Sequence, residues 1–121
     1  MSLYRDVILS HYKNPLNRGK LEHFTHQAEK ANPTCGDEIN MQILVEDNVI
    51  KDIRFDGKGC AISLASCSLL TDYLKGESLE SVAELKFEDI CEMLGTNEMS
   101  PGRIKCAILS LDVVKKALYD V

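Results

Sequence analysis

The sequence predicts an α+β fold in which helices pack on one face of a small antiparallel sheet. Apolar and polar residues alternate with the period of a strand in one stretch, residues 39–55, and segments with the 3.6-residue period of helices precede and follow it. Strands and helices do not alternate along the chain, so a parallel sheet built from strand–helix–strand units is not expected.

The N-terminal segment predicts a short helix that ends before Asn14-Pro15. Ser2 is a suitable N-cap, and apolar residues recur at helical spacing at Leu3, Tyr4, Val7, Ile8 and Tyr12. The next residues, 16–34, are mostly polar and interrupted by Gly19 and Pro33. We expect this segment to be mostly loop, with a short edge strand as an alternative for part of it. Its expected role is to position Cys35.

The alternating stretch predicts an antiparallel hairpin. Asp47-Asn48 supplies the turn, and inward-facing residues lie before and after it at Ile39, Met41, Ile43, Val45, Ile53 and Phe55. The run Asp56-Gly57-Lys58-Gly59 is expected to end the second strand, because glycines interrupt strands.

Helices are expected to fill the rest of the chain. Cys60 opens a long apolar helix that Gly76 closes, and Ser78 caps a short one. Another helix contains Phe87, Ile90, Cys91 and Leu94. After a connector from Gly95 to Gly102, the last helix begins at Arg103.

Length, charge and cysteine content limit the kinds of protein that this chain can be. The 121 residues suit a single domain, 1–121, and the net charge of −5 with scattered basic residues argues against nucleic acid as a partner. The chain contains neither a signal-peptide pattern nor 18 consecutive apolar residues, so we expect a cytoplasmic protein without a membrane partner. Five cysteines, an odd number at irregular spacing, favour metal or thiol chemistry over disulfides.

Three cysteines lie in sequence contexts that suit a reactive or metal-bound thiolate. Cys35 is in a loop with Pro and Gly, two residues before Asp37, while Cys60 and Cys106 each open an apolar helical segment. Three thiols and a carboxylate are donors that a tetrahedral zinc or iron ion accepts. No local Cys-x-x-Cys pair is present, so the pattern alone leaves a shared site and unrelated buried cysteines equally open.

The other cysteines and the histidines are weaker candidates. Cys67 follows Cys60 by seven residues on the same predicted helix, about 10 Å along its axis, which is too far to share one ion easily. Cys91 lies in an apolar stripe, where a free cysteine acts as a small hydrophobic residue. None of the histidines adjoins a cysteine motif, so packing or surface roles are expected for His11, His23 and His26.

Arg103 and Lys105 place positive charge in the first turn of the last predicted helix. Cations at that end oppose the helix dipole, so a nearby anion is expected to compensate, and a thiolate cluster is the obvious one. Arg103 is therefore a candidate for the electrostatics of the site or for partner binding.

Four sequence motifs together resemble the U-type iron–sulfur cluster assembly proteins, the IscU, SufU and NifU N-terminal family. They are His-Tyr-Lys-Asn-Pro-Leu-Asn at 11–17, Asn-Pro-Thr-Cys-Gly-Asp at 32–37, Gly-Lys-Gly-Cys-Ala-Ile-Ser-Leu-Ala-Ser at 57–66 and Arg-Ile-Lys-Cys-Ala-Ile-Leu at 103–109. The resemblance covers nearly the whole chain. It implies a three-stranded antiparallel sheet with helices packed on it and a metal site at one end, formed by Cys35, Asp37, Cys60 and Cys106.

Departures from the family patterns bear on the subtype. The IscU branch has a histidine before the third cysteine and a Leu-Pro-Pro-Val-Lys motif, whereas this chain has Lys105 and Met-Ser-Pro-Gly-Arg. Arg103 and Lys105 resemble the SufU branch, which usually carries an insertion that the short connector here lacks. The chain is SufU-like in its motifs and nearer IscU in length.

The resemblance implies sulfur delivery by a cysteine desulfurase, SufS-like or IscS-like, and apo iron–sulfur clients or carriers as further partners. The preferred hypothesis is a zinc-binding protein that accepts persulfide sulfur on Cys35; if it is an enzyme, it is a zinc-dependent sulfurtransferase. The alternative is a scaffold in which iron replaces zinc and the same cysteines assemble a [2Fe–2S] cluster. A structural zinc domain used for protein contacts is the third hypothesis.

Overall fold

A computed structural model describes residues 3–33, 36–95 and 99–119. Its elements in chain order are α1 (Leu3–Lys13), β1 (His26–Asn32), β2 (Asp37–Glu46), β3 (Val49–Lys58), α2 (Ala61–Leu74), α3 (Leu79–Ala83), α4 (Phe87–Leu94) and α5 (Pro101–Tyr119). The strands form a three-stranded antiparallel sheet in the order β1-β2-β3, with helices packed against it. The predicted fold class is confirmed.

The predicted hairpin forms between β2 and β3. Its turn residues Asp47 and Asn48 have φ values of 53° and 64°, the left-handed conformation that a tight hairpin turn requires and that Asp and Asn tolerate. Strand β1 pairs with the other edge of β2, from His26 opposite Ile43 to Asn32 opposite Asp37. The central strand β2 therefore begins at the end of the sheet where β1 and β3 both finish.

The core lies between one face of the sheet and the helices α2 and α5. Alternate residues of β2 and β3 are buried there, and α2 is buried over most of its length. The largest strand side chains in this core are Ile39, Met41, Ile43, Ile50, Ile53 and Phe55. Of the helices in the described segments, none is both long and apolar enough to cross a membrane.

The predicted helix boundaries agree with the structure for the middle of the chain. Cys60 is the N-cap of α2, and Gly76 follows its C-cap with φ 87°. Ser78 caps α3 by accepting a hydrogen bond from the Ser81 N–H, and α4 ends at Gly95 in the left-handed conformation.

Two boundaries differ from the sequence prediction. Strand β3 continues through Gly57 to Lys58, because Gly57 adopts φ 131° and has no side chain to meet β2. Helix α5 begins at Pro101, a residue whose fixed φ and missing N–H suit the first helical position, and so includes Gly102 and Arg103. The connector is shorter than expected, and Cys106 is farther inside its helix.

The segment expected to be mostly loop contains a strand of seven residues, β1. Its side chains alternate between half-buried and exposed, so it lacks the apolar alternation by which a strand is recognised. Strand β1 is stabilised by pairing with β2 and by packing against α5. The sequence of β1 alone predicts neither contact.

Candidate metal centre

Three predicted ligands meet at the end of the sheet where β2 begins. Asp37 is the first residue of β2, Cys60 follows β3 as the N-cap of α2, and Cys106 lies on α5. One carboxylate oxygen and the two sulfurs all lie within 4.8 Å of one another, and no other group of three or more such residues occurs in residues 3–33, 36–95 and 99–119. Cys35 lies outside the described residues.

Asp37 is fully buried and only half satisfied. Its Oδ1 accepts a hydrogen bond from the Cys60 backbone N–H at 2.9 Å, which ties the start of β2 to the start of α2. Its Oδ2 is buried and has no partner within the described chain. Burying an uncompensated carboxylate oxygen is costly, and a cation is the group that would remove this cost.

Gly59 allows the loop before Cys60 to approach Asp37. A Cβ atom at this position would lie 2.7 Å from Asp37 Oδ1 and 2.5 Å from Ser63 Oγ, both closer than real contacts. Any larger residue would push the carboxylate away from the Cys60 N–H. The glycine before Cys60 is therefore needed for the geometry of the site.

The two cysteines of the cluster have different surroundings. Cys60 is half-buried at the N-terminus of α2, and its Sγ lies 3.6 Å from Ser63 Oγ. Cys106 is 2% exposed and lies in the second turn of α5, so the expectation that it opens the helix is wrong. Its S–H donates to the Gly102 carbonyl oxygen at 3.6 Å.

The donor set fits a tetrahedral thiolate-bound ion. Thiolates held at about 2.3 Å from one tetrahedral zinc are about 3.8 Å apart. The donor atoms of Asp37, Cys60 and Cys106 lie no more than 4.8 Å apart, so a contraction of at most about 1 Å brings them to this spacing. Asp37 Oδ2, which has no partner in the part of the chain that the structure describes, is the observation that favours a cation here.

The remaining cysteines lie apart from this cluster. Cys67 is fully buried in the core, and burial, with a further contribution from the Asp37 carboxylate, raises the pKa of its thiol. Burial and the nearby Glu88 likewise raise the pKa of Cys91. Both thiols stay protonated at neutral pH, which agrees with the packing role predicted for them.

No histidine belongs to the cluster of Asp37, Cys60 and Cys106. The ring Nδ1 of His11 lies 2.7 Å from Ser68 Oγ, and that of His26 lies 2.8 Å from Thr25 Oγ1. These contacts agree with the packing and surface roles expected from the sequence.

Arg103 lies exposed on the first turn of α5, beside the cluster. With Arg5 it lines a cleft of about 430 Å³ whose other walls include Ala61, the residue after Cys60, and apolar side chains of α1. Two arginines therefore line a cleft whose other walls are largely apolar.

Sequence reasoning did not single out Gly59 or Asn32 as site residues. From the sequence, Gly59 is expected to help end a strand, and Asn32 is expected to lie in a loop. Asn32 is the last residue of β1, directly opposite Asp37, and its buried Nδ2 has no partner among the described residues. The signal available in the sequence is that Gly59 immediately precedes Cys60 and that Asn32 opens the motif containing Cys35.

Comparison with known proteins identifies a family model and related proteins. Residues 3–121 match the family model described as the NifU-like N terminal domain. The chain is 35% identical over 133 residues to the zinc-dependent sulfurtransferase SufU of Bacillus subtilis, covering 97% of this chain and 90% of SufU. It is 37% identical over 121 residues to the iron–sulfur cluster assembly scaffold protein IscU of Haemophilus influenzae, covering 97% and 94%.

Among solved structures, the fold matches a putative iron–sulfur cluster assembly scaffold protein for the SUF system from Fervidobacterium islandicum. The TM-score is 0.82 at 27% identity, and 96% of each chain is covered. The SufU alignment is longer than this 121-residue chain, so it contains segments that SufU has and this chain lacks, while the IscU alignment is not longer.

Proposed function

Because this chain belongs to the NifU-like N-terminal domain family, we propose that it acts in iron–sulfur cluster assembly, binding zinc and accepting sulfur from the persulfide of a cysteine desulfurase. The observation that supports this most is the buried Asp37 carboxylate, which has two cysteine sulfurs close to it and one oxygen without a partner among the described residues. The names of the SufU and IscU relatives give the reaction class.

Four residues would hold the ion: Cys35, Asp37, Cys60 and Cys106. Cys35 is two residues from Asp37 in sequence, and two peptide units span at most about 7 Å, so its thiol can reach the ion that the other three hold. When bound, zinc keeps the thiols deprotonated and therefore nucleophilic. The hydrogen bond from the Cys60 backbone N–H to Asp37 Oδ1 holds the Cys60 backbone at the start of α2.

The proposed chemical step is an exchange between a thiolate and a persulfide. The Cys35 thiolate attacks the outer sulfur of the desulfurase persulfide, a new S–S bond forms on Cys35, and the S–S bond of the desulfurase breaks. The desulfurase cysteine leaves as a thiolate, so the step needs no external oxidant or reductant. Cys35 is the preferred acceptor because its Pro- and Gly-containing loop can approach a partner.

Arg103 would assist this exchange by binding the desulfurase. Its side chain is exposed in the cleft that adjoins Cys60, and a guanidinium group suits the carboxylates of a partner surface. It is not a ligand, so its removal should affect docking without removing the metal.

A scaffold role is the second candidate, and chain length favours it. The IscU alignment covers this chain without the extra segments that the SufU alignment contains. In this role the same three cysteines would hold a [2Fe–2S] cluster as cargo for transfer to an apo client protein.

The test combines metal analysis with a desulfurase assay. Protein purified without added metal should contain one zinc per chain and accelerate a SufS-type desulfurase many-fold, with persulfide detected on Cys35 by mass spectrometry. Cys35→Ser should abolish sulfur acceptance, Arg103→Ala should weaken the acceleration with zinc retained, and Cys91→Ala is the matched control that should behave as wild type.

Other outcomes would change the assignment. Stable [2Fe–2S] reconstitution and transfer to an apo-ferredoxin, with no acceleration of the desulfurase, would establish the scaffold role. A bound zinc ion with no alkylation of any ligand cysteine and no effect in either assay would indicate a structural zinc domain.

A further inference from the structure

The two outer edges of the sheet differ in how their backbone groups are paired. On β3, the N–H and C=O groups of Phe55 point away from β2 and bond to the backbone of residues 17–19, at 3.0 and 2.9 Å. Those of Ile50 bond to the backbone of residues 76–77, at 2.9 and 2.8 Å. A strand edge with free backbone groups is a place where another extended chain can add, and these bonds block it.

Side chains block the same edge at two further positions. The Ile53 N–H donates to the carboxylate of the preceding residue, Asp52, at 2.8 Å, and the Arg54 side chain donates to the Ile53 carbonyl oxygen at 3.2 Å. The same arrangement recurs at Gly57, whose N–H donates to the carboxylate of the residue before it and whose carbonyl oxygen accepts from Arg18. The outer edge of β3 is therefore closed, because a partner strand could add there only by displacing these groups.

Strand β1 has the other outer edge of the sheet, and no backbone group in residues 3–33, 36–95 and 99–119 is hydrogen-bonded to it. The backbone groups of successive residues in an antiparallel strand point alternately to its two sides. Phe55 points outward on β3, so Met41 opposite it bonds to Ala28 of β1, and the neighbours of Ala28 point to the open edge. The residues of β1 that point to this edge all have exposed side chains: Gln27, Glu29 and Ala31.

Two clefts adjoin this open edge at successive stretches of β1. One, of about 590 Å³, is lined by residues 27–29, by polar side chains on the outer face of β2 and by Lys116 of α5. The other, of about 190 Å³, is lined by residues 30–33 and by α5. The α5 residues of the two clefts recur at helical spacing on one face of that helix: Lys105, Ile108, Leu109, Asp112 and Lys116. Strand β1 and this face of α5 therefore form the walls of a groove.

The charges in this groove favour an acidic occupant. Its lining contains four lysines and two carboxylates, an excess of positive charge on a chain whose net charge is −5: Lys20, Lys30, Lys105 and Lys116 against Glu29 and Asp112. The Lys116 ammonium donates to the outward carbonyl oxygen of Glu29 at 3.0 Å, the place that the N–H of an added strand would take. A second copy of this chain would bring the same lysines to the groove, and like charges at close range oppose association.

We propose that the outer edge of β1 binds an acidic, extended segment of a partner protein, which adds to the sheet as a fourth strand in the groove between β1 and α5. The segment's backbone pairs with the three outward residues of β1, its apolar side chains contact Ile108 and Leu109, and its carboxylates meet the lysines. Strand β1 ends at Asn32, opposite Asp37, so the bound segment reaches the end of the sheet that carries the candidate metal centre. The surface itself is independent of the proposed metal and sulfur chemistry.

The experiment measures binding of a short peptide to the full-length protein as purified. The peptide alternates valine with glutamate over about eight residues, enough to span the seven residues of β1, and both of its ends are blocked. It should slow hydrogen exchange of the Gln27, Glu29 and Ala31 amides, measured by NMR, because these amides become bonded to it. A valine–lysine peptide of the same length should bind at least roughly 10-fold more weakly.

Gln27→Pro tests the contribution of the backbone. It removes an outward N–H without breaking a bond to β2, so the fold should persist and the affinity for the valine–glutamate peptide should fall roughly 10-fold. Gln27→Ala keeps the N–H and is the matched control, which should bind this peptide as wild type does. Lys116→Glu, a second variant that leaves the sequence of β1 unchanged, should bind the valine–glutamate peptide more weakly and the valine–lysine peptide more tightly.

Failure of wild type to bind the valine–glutamate peptide, or binding without slower exchange at these three amides, would overturn strand addition. Equal affinities of folded Gln27→Pro and wild type would do the same. An unchanged preference between the two peptides in Lys116→Glu would overturn the role of the lysines. Protection of the same amides that grows with protein concentration in the absence of peptide would assign the edge to a second copy and overturn the acidic partner. None of these measurements requires a bound metal, so their failure is distinct from failure of the proposed function.

Discussion

At the turn end of the β2–β3 hairpin the polar side chains are paired, whereas at the opposite end a buried carboxylate oxygen and a buried amide nitrogen have no partner in the described chain. Near the turn, the Asn48 side chain donates to both carboxylate oxygens of Glu80, at 2.8 and 2.6 Å. The Tyr119 hydroxyl donates to the Leu79 carbonyl oxygen, which fixes the C-terminus of α5 to α3.

This difference between the two ends of the hairpin indicates that the turn end contributes mainly to stability and the opposite end to function. Paired polar groups at the turn hold helices to the hairpin. The buried atoms at Asp37 and Asn32 that lack partners within the described residues are expected to lower the stability of the metal-free protein, and in the proposed function a cation would compensate the Asp37 carboxylate. The site end is therefore expected to be the less stable end without metal.

The backbone also differs between the two ends of the hairpin, and a substitution there is expected to have the largest effect on stability. Gly57→Ala should destabilise the protein by about 3 kcal/mol or more, since the new Cβ would lie 2.0 Å from the Glu38 carbonyl oxygen and φ 131° strains any other residue. Urea unfolding of the metal-free protein measures this. Asp47→Gly, at the turn, is the control and should change stability by about 0.5 kcal/mol or less.

A loss of stability in Gly57→Ala no larger than in Asp47→Gly would contradict this contrast. It would mean that β2 and β3 can separate at the site end at little cost. The Gly57 result also bears on the metal, because Glu38 is the neighbour of Asp37 and any shift of its backbone moves the carboxylate.

Asp37→Asn should give the next largest effect, on metal affinity. Zinc binding should weaken at least roughly 100-fold in a chelator competition, because one charged ligand is lost. Metal-free Asp37→Asn should be no less stable than metal-free wild type, since the substitution removes an unpaired buried charge.

Metal removal tests the same comparison without a mutation. Chelation should lower the melting temperature of wild type and leave that of Asp37→Asn nearly unchanged. The ligands bind metal when deprotonated, so this stabilisation should be present at neutral pH and fade as the pH falls. Wild type that melts at one temperature with and without chelator at pH 7 would contradict a stabilising metal.

Cys67→Ala should have a smaller effect, confined to packing. We expect a loss of about 1–2 kcal/mol from the buried cavity, with zinc content and sulfur acceptance unchanged. Because burial raises the pKa of its thiol, Cys67 in wild type should resist iodoacetamide at pH 7, as mass spectrometry of the labelled peptides would show. Rapid labelling of Cys67 in the native protein would contradict its burial and would favour a reactive role for this thiol at the candidate metal centre.

The sequence predicted those features that local patterns encode. The hairpin turn at Asp47-Asn48, the N-cap role of Ser78 and the stop at Gly95 all follow from local preferences and are confirmed. Strand β1 was largely missed because an edge strand with half-buried polar residues is defined by its neighbours.

The sequence predicts the ligands of the candidate site, but it does not predict the residues that support them. Residue type and family resemblance suggest the association of Asp37, Cys60 and Cys106. A glycine beside a cysteine indicates in general that the backbone can approach a metal closely, but the sequence does not show which atoms Gly59 approaches. Its reason is a distance across the fold, to Asp37 Oδ1 and Ser63 Oγ, which only the packed structure reveals.

The smallest predicted effect is a pH dependence at the turn end, from Glu80. A hydrogen bond to its own backbone N–H, and then those from Asn48, hold the pKa of this carboxyl below its ordinary value of 4.5. The folded state therefore favours the ionised form, and this contribution is present above pH 4.5 and lost as the pH falls through the lowered pKa. In metal-free protein, Glu80→Gln should be slightly less stable than wild type at pH 7, and the difference should vanish in acid. Glu92→Gln, which removes an exposed charge from α4, is the control. A Glu80→Gln deficit in urea unfolding that stayed constant from pH 7 into acid would show that the Asn48–Glu80 pair stabilises the turn without its charge.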